Sequence, residues 1–411
     1  MLQVLKNYYH LVQAVLANCI YGFPSKKLKV IAITGTDGKT TTTTLLYHML
    51  KSAGYKVALI STVAAYINTE QIDTGFHVTT PSPFAIQKLL KRIVNSDSEF
   101  VILETTSHGI DQNRIWGIQP TYAAVTNVTH EHLDYHHTYA NYLETKSRLL
   151  LLAKHSYINA DAKESAHLLE AILKENGVTR IESGTVQPEP ETHVYEVISA
   201  SELSSKLKSV IHTRFGHESY NYENVAIASA IAREVGVKEK DVVAAISKFP
   251  GVPGRMEEVV RSKGIRFIVD FAHTPAALEQ ALTVQKNHTK KSKGKLLVIF
   301  GCAGLRDHTK RPLMGEIAAR IADLVILTAE DPRTEDVWSI IAQIKSGVST
   351  GKHAKILSIA DRAEAIAFAY TNLARSGDTI LVTGKGHEKS MCYGTVEYPY
   401  SDQETILKIV A

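Results

Sequence analysis

The run Ile31-Ala32-Ile33-Thr34-Gly35-Thr36-Asp37-Gly38-Lys39-Thr40-Thr41 limits the fold more than any other part of the chain. A β-branched apolar stretch enters a glycine-flanked turn, the turn ends in Lys-Thr, and a helix-compatible segment from Thr42 to Ser52 follows. That order, strand then loop then helix, is what a phosphate cradle needs. Glycines let backbone N–H groups approach phosphate oxygens, the lysine adds a point charge, and the next hydroxyl can ligate Mg²⁺. The spacing Gly-x-x-Gly-Lys-Thr is tighter than the common Walker pattern. Glycines alone would fit an ordinary strand–helix turn with a surface lysine; the strand before and the helix after favour the cradle.

The rest of the chain must supply a sheet for that strand. At 411 residues it has room for two or three domains. Its 44% apolar content fits a soluble globular protein, and a net charge of +4 over this length argues little for nucleic acid. Cys19, Cys302 and Cys392 show no CxxC spacing, so reduced thiols and a cytoplasmic protein are expected. No apolar run reaches the roughly 20 residues of a membrane span, and the N-terminus lacks a signal-peptide layout. Leu5, Val12, Val15, Leu16, Cys19 and Ile20 recur at helical spacing. Residues 1–24 therefore read as an amphipathic helix and connector, with the helix expected to dock on the protein's own core.

Strands alternate with helical stretches after the loop: Val57–Ser61, Phe100–Glu104, Tyr122–Asn127 and Ser156–Asn159. This rhythm predicts an α/β domain with a mostly parallel sheet over residues 25–249. Residues 183–211, with Pro188 and Pro190, read as irregular or short-stranded; helices are expected over 224–235 and 239–249. Phe249-Pro250-Gly251-Val252-Pro253-Gly254 is the candidate linker. Over residues 250–411 the rhythm resumes at Phe267–Phe271, Lys295–Phe300, Leu324–Thr328, Ala354–Ile359 and Thr379–Thr383, giving a second, Rossmann-like domain. In such sheets ligands bind beyond the strand C-termini.

Glu104 stands at one of those C-termini, where a Mg²⁺-binding acid sits in nucleotide-binding domains. Thr126-Asn127-Val128-Thr129-His130-Glu131-His132-Leu133-Asp134 is dense in ligand atoms but does not match HExxH. Hard-cation binding beside phosphates suits it better than zinc, with His132 the favoured ligand. In the last domain, four charged segments follow strands: Asp270–Pro275, Gly301–Asp307, Glu330–Arg333 and Thr383–Glu388. Together they suggest a pocket for a polar substrate.

Taken in order, TGTDGKTTT, HVTTPSP, LETTSHGIDQNR, TNVTHEHLDYH, ETKSRL, PGRMEEV, DFAHTP, GCAGLRDHTKRPLMG, EDPRTE and GKGHE resemble the Mur ligases, and within them the MurE type. The resemblance runs from about Tyr21 to the C-terminus. It implies a P-loop ATPase domain followed by a Rossmann-like domain, with ATP and Mg²⁺ as cofactors. It also implies activation of a substrate carboxylate as an acyl phosphate, captured by an amine to give an amide and phosphate.

By that match Gly35, Thr36, Asp37, Gly38, Lys39, Thr40 and Thr41 hold the nucleotide phosphates. Thr40, Glu104, His132 and Lys146 serve the metal ions. Lys146 falls where the family carries a carbamylated lysine; a plain helix lysine is the bland alternative. Asn127, Arg255 and Asp270 correspond to nucleotide contacts, the last two on a domain that closes through a hinge at Pro250–Gly254. Lys39, Glu104, His132, Lys146 and Arg255 are the expected catalytic set. Thr79, Thr80, Thr106, Gln112 and Arg114 match contacts to the muramoyl-peptide acceptor. Arg306, Glu330, Asp331, Arg333, Gly384 and Glu388 form the expected amine pocket. Arg306 and Arg333 could grip a distal carboxylate, so diaminopimelate is expected over lysine, although Asp331 replaces the family's Asn.

Family members carry an N-terminal domain for the UDP part of the acceptor, and only about thirty residues precede the loop here, too few for one. Either the acceptor's nucleotide is gripped differently or the acceptor is another carboxylate. Folylpolyglutamate synthases share the two-domain layout and the acyl-phosphate chemistry. A nucleotide-binding protein without ligase activity is the third possibility, disfavoured by the intact Lys39, Thr40, Glu104, His132, Lys146 and Arg255. The expected partners are small molecules, a muramoyl-peptide-like acceptor and a diamino acid, acted on by a monomer.

Overall fold

A run of β-branched residues between two other apolar runs can be buried on both faces only in a parallel sheet flanked by helices. The computed structural model describes residues 2–68, 70–72, 80–129, 131–182, 192–216, 219–348 and 355–411. Two compact units share the chain, Met1–Pro250 and Gly251–Ala411.

The first unit holds a nine-stranded sheet. Its strands are β1 (Lys29–Thr34), β2 (Val57–Ile60), β3 (Ala65–Ile67), β4 (Glu70–Ile72), β5 (Phe100–Glu104), β6 (Tyr122–Val125), β7 (His155–Asn159), β8 (Thr179–Arg180) and β9 (Val194–Ile198). They run in the order β4-β3-β2-β5-β1-β6-β7-β9-β8. Only β3, against β2 and β4, pairs antiparallel. The register aligns Ile33 with Glu104 and Thr34 with Val125. The ends of β1, β5 and β6 therefore share one edge. Val30, Ile31, Ala32 and Ile33 are fully or almost fully buried, as are Val101, Ile102 and Leu103 beside them.

In the second unit β10 (Glu257–Ser262), β11 (Ile265–Asp270), β12 (Leu296–Phe300), β13 (Leu324–Leu327), β14 (Lys355–Ser358) and β15 (Thr379–Thr383) form a six-stranded sheet. Its order is β10-β11-β15-β12-β13-β14, and only β10 is antiparallel. Asp270 pairs with Thr383, so the loops after β11 and β15 leave the same edge. A hairpin of β16 (Ser390–Tyr393) and β17 (Val396–Pro399) follows.

Two expectations are corrected. The helix Leu2–Tyr21 forms, but its large apolar side chains do not dock inward: Leu5, Val12, Leu16, Cys19 and Ile20 are exposed. The helix packs instead through Ala14, Ala17 and Asn18, whose small bulk allows close approach; Asn18 also donates to Ala14 O and Trp116 O. Its polar residues reach inward as well, Gln3 to the Tyr135 hydroxyl (2.6 Å) and Asn7 to Asp111 (2.9 Å). Within the stretch read as irregular or short-stranded, Val194–Ile198 form the short, buried β9, in line with the second alternative, whereas residues 205–211 begin the helix Ser205–Phe215, capped by Ser204. Pro188 and Pro190, Thr79, His130 and Ala354 lie outside the described residues. All three cysteines are free, and among the described residues no helix is long and apolar enough to cross a membrane.

Candidate active site

The loop between β1 and the helix Lys39–Ser52 is fixed from behind by the loop after β6. The Asn127 side-chain oxygen accepts from Thr36 N (3.2 Å) and Asp37 N (2.9 Å). Thr126 Oγ1 donates to Asp37 O (2.6 Å). Gly38, at φ 80°, ends the loop, and any Cβ there would strike the Asn224 side chain. This position requires glycine for both conformation and room. Asn224 accepts from Thr42 (3.1 Å), so the helix Ser219–Val235 braces the loop from the other side.

At the end of β5, Glu104 is buried and held by hydrogen bonds on both oxygens. Its Oε1 accepts from Thr40 Oγ1 (2.9 Å) and Thr62 Oγ1 (2.8 Å), and its Oε2 from Thr62 N (2.9 Å). A hydroxyl and a carboxylate in contact, at the mouth of a phosphate loop, form an all-oxygen donor set of the kind Mg²⁺ takes.

Lys39 and Lys146 converge on a single carbonyl. Lys39 Nζ donates to Gly35 O (3.0 Å) and Thr36 O (2.6 Å), and Lys146 Nζ donates to the same Gly35 O (2.6 Å). Lys146 is buried, with its Nζ 4.6 Å from the Tyr142 ring centroid. Burial, then the neighbouring Lys39, hold its amine well below the usual lysine range, against the opposing pull of Glu131 and Asp37. Tyr142 also meets Thr36 Oγ1 at 3.1 Å. His132 joins this group through Tyr142, with ring centroids 6.1 Å apart, and lies 3.8 Å from Glu131.

Of the expected acceptor residues, Thr80, Thr106, Gln112 and Arg114 form one connected strip. Thr80 Oγ1 meets Thr106 Oγ1 at 3.0 Å and accepts from Thr106 N (2.9 Å). Arg114 donates to Thr80 O (2.7 Å) and, through two nitrogens, to Gln112 Oε1 (2.9 and 2.6 Å). Gln112 continues to Tyr135, which bonds Asp111 (2.8 Å). The N-terminal helix reaches this strip through Gln3 and Asn7.

In the second unit, the Asp270 carboxylate accepts from Met256 N (2.7 Å) and Ala272 N (2.9 Å), while the Arg255 guanidinium lies over the Phe271 ring (4.3 Å). Burial raises the Asp270 carboxyl against the pull of Arg255. The loops after β12 and β13 are stitched together: Gly304 N donates to Asp331 O (3.0 Å) and Arg333 to Gly304 O (2.6 Å). Arg306 is exposed beside them. The Asp331 carboxylate is engaged within the protein, accepting from Lys385 (2.8 Å) and Cys392 N (2.9 Å). Lys385 also pairs with Glu388 (2.6 Å). Burial works against its charge, yet Glu388 and Asp331 outweigh it and raise the ammonium.

Glu330 is different. It is buried, its Oε2 has no hydrogen-bond partner among the described residues, and Gly384, at φ 108°, leaves room for it where a Cβ would not. Burial pushes its carboxyl up to about 7, against the pull of Lys310, Arg362, His273 and Lys385. The folded protein thus keeps a proton that the unfolded chain releases near the ordinary carboxylate range. Stability from this group is full below that range and is lost as pH rises through about 7. Glu330→Gln should flatten the urea-unfolding free energy between pH 5 and pH 8 by about 3 kcal/mol. An unchanged slope would mean Glu330 is ionised throughout.

Glu131, Tyr142, Thr62, Asn224 and Lys385 belong to these sites, although the sequence marked none of them as site residues. Glu131 and Lys385 at least sat inside quoted motifs; Tyr142 and Asn224 carry no local signal, being ordinary helix residues.

Residues 33–232 match the Mur ligase middle domain and residues 254–386 the Mur ligase glutamate ligase domain. The chain is 37% identical over 405 residues to the UDP-N-acetylmuramoyl-L-alanyl-D-glutamate–2,6-diaminopimelate ligase of Bacteroides fragilis, covering 96% of this chain and 80% of that protein. The protein of the same name from Clostridium botulinum is 33% identical, with 97% and 81% covered. Among solved structures, a ligase of that name superposes with a TM-score of 0.57 at 29% identity, over 93% of this chain and 78% of the other. Mycobacterium tuberculosis folylpolyglutamate synthase, complexed with ADP and AMPPCP, shares the fold at a TM-score of 0.68 and 15% identity, over 91% and 92%.

Proposed function

The chain belongs to the Mur ligase family of ATP-dependent ligases, and on that premise we propose that it joins a diamino acid to a muramoyl-dipeptide carboxylate, taking 2,6-diaminopimelate in preference to lysine. The observation that carries this reading is the convergence of Lys39 and Lys146 on Gly35 O, in the loop that also brings Thr40 to Glu104. Such a site suits phosphoryl transfer to a carboxylate, where positioning and charge neutralisation do most of the work. The relatives named for diaminopimelate, at 33–37% identity, support the choice of amine.

The acceptor carboxylate attacks the γ-phosphorus of ATP as the bond to the β-phosphate oxygen breaks, leaving an acyl phosphate and ADP. The amine then attacks the acyl carbon, phosphate leaves, and the nitrogen gives up a proton. The loop N–H groups, held in place by Asn127 and Asn224, cradle the phosphates, and Lys39 exchanges its loop carbonyls for phosphate oxygens. Mg²⁺, bound by Thr40 and Glu104 with His132 and a carbamylated Lys146 nearby, would neutralise charge on the transferring group. Thr80, Thr106, Gln112 and Arg114 align the acceptor. In the second unit Arg333, fixed at Gly304, and Arg306 offer cations to the distal carboxylate of diaminopimelate, and Glu330 and Glu388 face its ammonium groups. Asp331, neutralised by Lys385, shapes the loop and adds little net charge.

The test is ATP-dependent phosphate release with a panel of acceptors and amines, products identified by mass spectrometry. Turnover is expected with UDP-N-acetylmuramoyl-L-alanyl-D-glutamate plus diaminopimelate, with lysine slower by about 100-fold, the discrimination available where a buried charge would lose its partner. Preference for lysine would overturn the amine assignment. Turnover confined to a folate or another carboxylate would overturn the acceptor. ATP binding without turnover of any pair would overturn both.

A further inference from the structure

At the opposite edge of the first sheet, three side chains that the ligase chemistry does not use come together. His155 opens β7, aligned with Tyr122 at the start of β6, whereas the phosphate loop leaves the far end of β1. Strand side chains alternate between faces, so His155 and Tyr157 share one face, and Glu196 of β9, paired with Tyr157, projects from the same face. The helix Ser219–Val235 packs over β7 and β9 and brings Glu234 in its last turn. One ring nitrogen of His155 and one oxygen of each glutamate lie within 4.8 Å of one another.

We propose that His155, Glu196 and Glu234 bind a divalent transition-metal ion, for which Zn²⁺ is the best match, and that the ion ties the helix Ser219–Val235 to the sheet. Imidazole with carboxylates suits Zn²⁺, while Mg²⁺ favours oxygen alone. Donors about 2 Å from a tetrahedral ion lie about 3.3 Å from one another, so the widest pair must close by about 1.5 Å to take the ion.

Two observations point to a ligand and not to a finished ion pair. First, His155 is only 3% exposed, and neither of its ring nitrogens makes an aligned hydrogen bond among the described residues. Nε2 lies 2.9 Å from Glu196 and Nδ1 3.9 Å from Glu234, close enough for charge attraction but off line for a bond. Second, the pocket gathers acidic groups. Two carboxylates face one imidazole, and the helix C-terminus adds its negative end. The buried Tyr157 hydroxyl beside them, without a hydrogen-bond partner among the described residues, is held well above the usual tyrosine range by burial and then by Glu196 and Glu234. Tyr157 stacks on the His155 ring (4.6 Å, 15° between planes), fixing its orientation as an outer-shell partner does. Glu234, 28% exposed, leaves a route in from solvent.

The consequence reaches the phosphate loop through one element. Asn224 stands ten residues before Glu234 on the same helix, about 15 Å along its axis. An ion at its last turn would fix the helix that holds Asn224 against Gly38.

The experiment uses the full chain, stripped with chelator and titrated with ZnCl₂ in excess Mg²⁺. It compares the wild type with His155→Ala and, because His155 is buried, with Glu234→Gln at the partly exposed ligand, which should fold. Calorimetry should show the wild type binding one more equivalent of Zn²⁺ than His155→Ala, and Glu234→Gln binding it at least about tenfold more weakly. Zn²⁺ should raise the wild-type Tm by about 5 °C and leave that of His155→Ala unmoved. Co²⁺ as a probe should give a visible absorption band in the wild type only. Equal stoichiometry in the wild type and His155→Ala, or undiminished affinity in Glu234→Gln, would overturn the proposal. It stands apart from the ligase reading, since none of these readouts requires turnover.

Discussion

Lys146→Ala is expected to lower kcat by about 10²–10³-fold while leaving ATP binding largely intact, and added formate or acetate should restore part of the loss. A buried amine 2.6 Å from a carbonyl that Lys39 also occupies is a poor place for a second cation. Burial and Lys39 drive it toward the neutral form, and the neutral amine is the form that adds CO₂. The addition releases one proton and leaves a carbamate anion. Repulsion from Lys39 would become attraction, and the phosphate loop would gain an oxygen ligand for an ion. Glu131 and Asp37, which support a cation at Lys146, would then oppose the new charge, so the carbamate should be stable only with Mg²⁺ present.

Three measurements separate this role from a structural one. Lys146→Arg keeps a cation and fills the space but cannot be carbamylated; it should be as inactive as the alanine variant and should not respond to formate. Wild-type enzyme in CO₂-depleted buffer should lose activity and regain it with bicarbonate. Labelled bicarbonate should give a carbamate carbon signal in wild type alone. Full activity in Lys146→Ala would remove Lys146 from the mechanism, and rescue of neither variant with equal loss of Tm would make it a packing residue.

What could be read from the residues follows a physical divide. The phosphate loop, Glu104 and the strands were legible because each is local: a parallel strand buried on both faces is a continuous apolar run, and its functional residue stands one step past its end. Phe100–Glu104 and Thr379–Thr383 have the same limits in the sequence and in the structure. The first helix was legible as a helix but not in its orientation. The period of Leu5, Val12 and Leu16 fixes a stripe, while Ala14, Ala17 and Asn18 on another face set how closely the helix can approach its neighbours. Long-range partners left no trace. Nothing near Asn224 announces that it closes over Gly38, and nothing near Asp331 announces that Lys385, 54 positions away, will take its charge. A pair of opposite charges brought together by topology reads, in sequence, as two unrelated loops. The same limit hid Arg362, whose partner Asp402 lies 40 positions away.

Arg362→Ala is expected to be among the most destabilising single changes in the second unit, by about 3–5 kcal/mol, because it strands a buried carboxylate. The guanidinium is 1% exposed and bidentate to Asp402, Nε to Oδ1 and Nη2 to Oδ2 at 2.8 Å each. Asp402, itself 0% exposed, has Tyr400 as a further donor (3.0 Å), which cannot neutralise it. The remaining donors serve the site: Nη2 reaches Thr383 O (2.9 Å) and Nη1 reaches Ala329 O (3.3 Å). Those carbonyls immediately precede Gly384 and Glu330, so Arg362 sets the spacing of the two loops assigned to the amine. Urea unfolding should show the loss, and the surviving fold should show a raised KM for the amine with KM for ATP little changed. Arg362→Lys should not rescue, since an ammonium cannot span two oxygens and two carbonyls in a plane. Joint replacement, Arg362→Leu with Asp402→Leu, should cost less than Arg362→Ala alone, because it removes both charges and leaves none unpaired. A single variant within about 1 kcal/mol of wild type would mean that water reaches Asp402 and that the pair is not what holds the two loops apart.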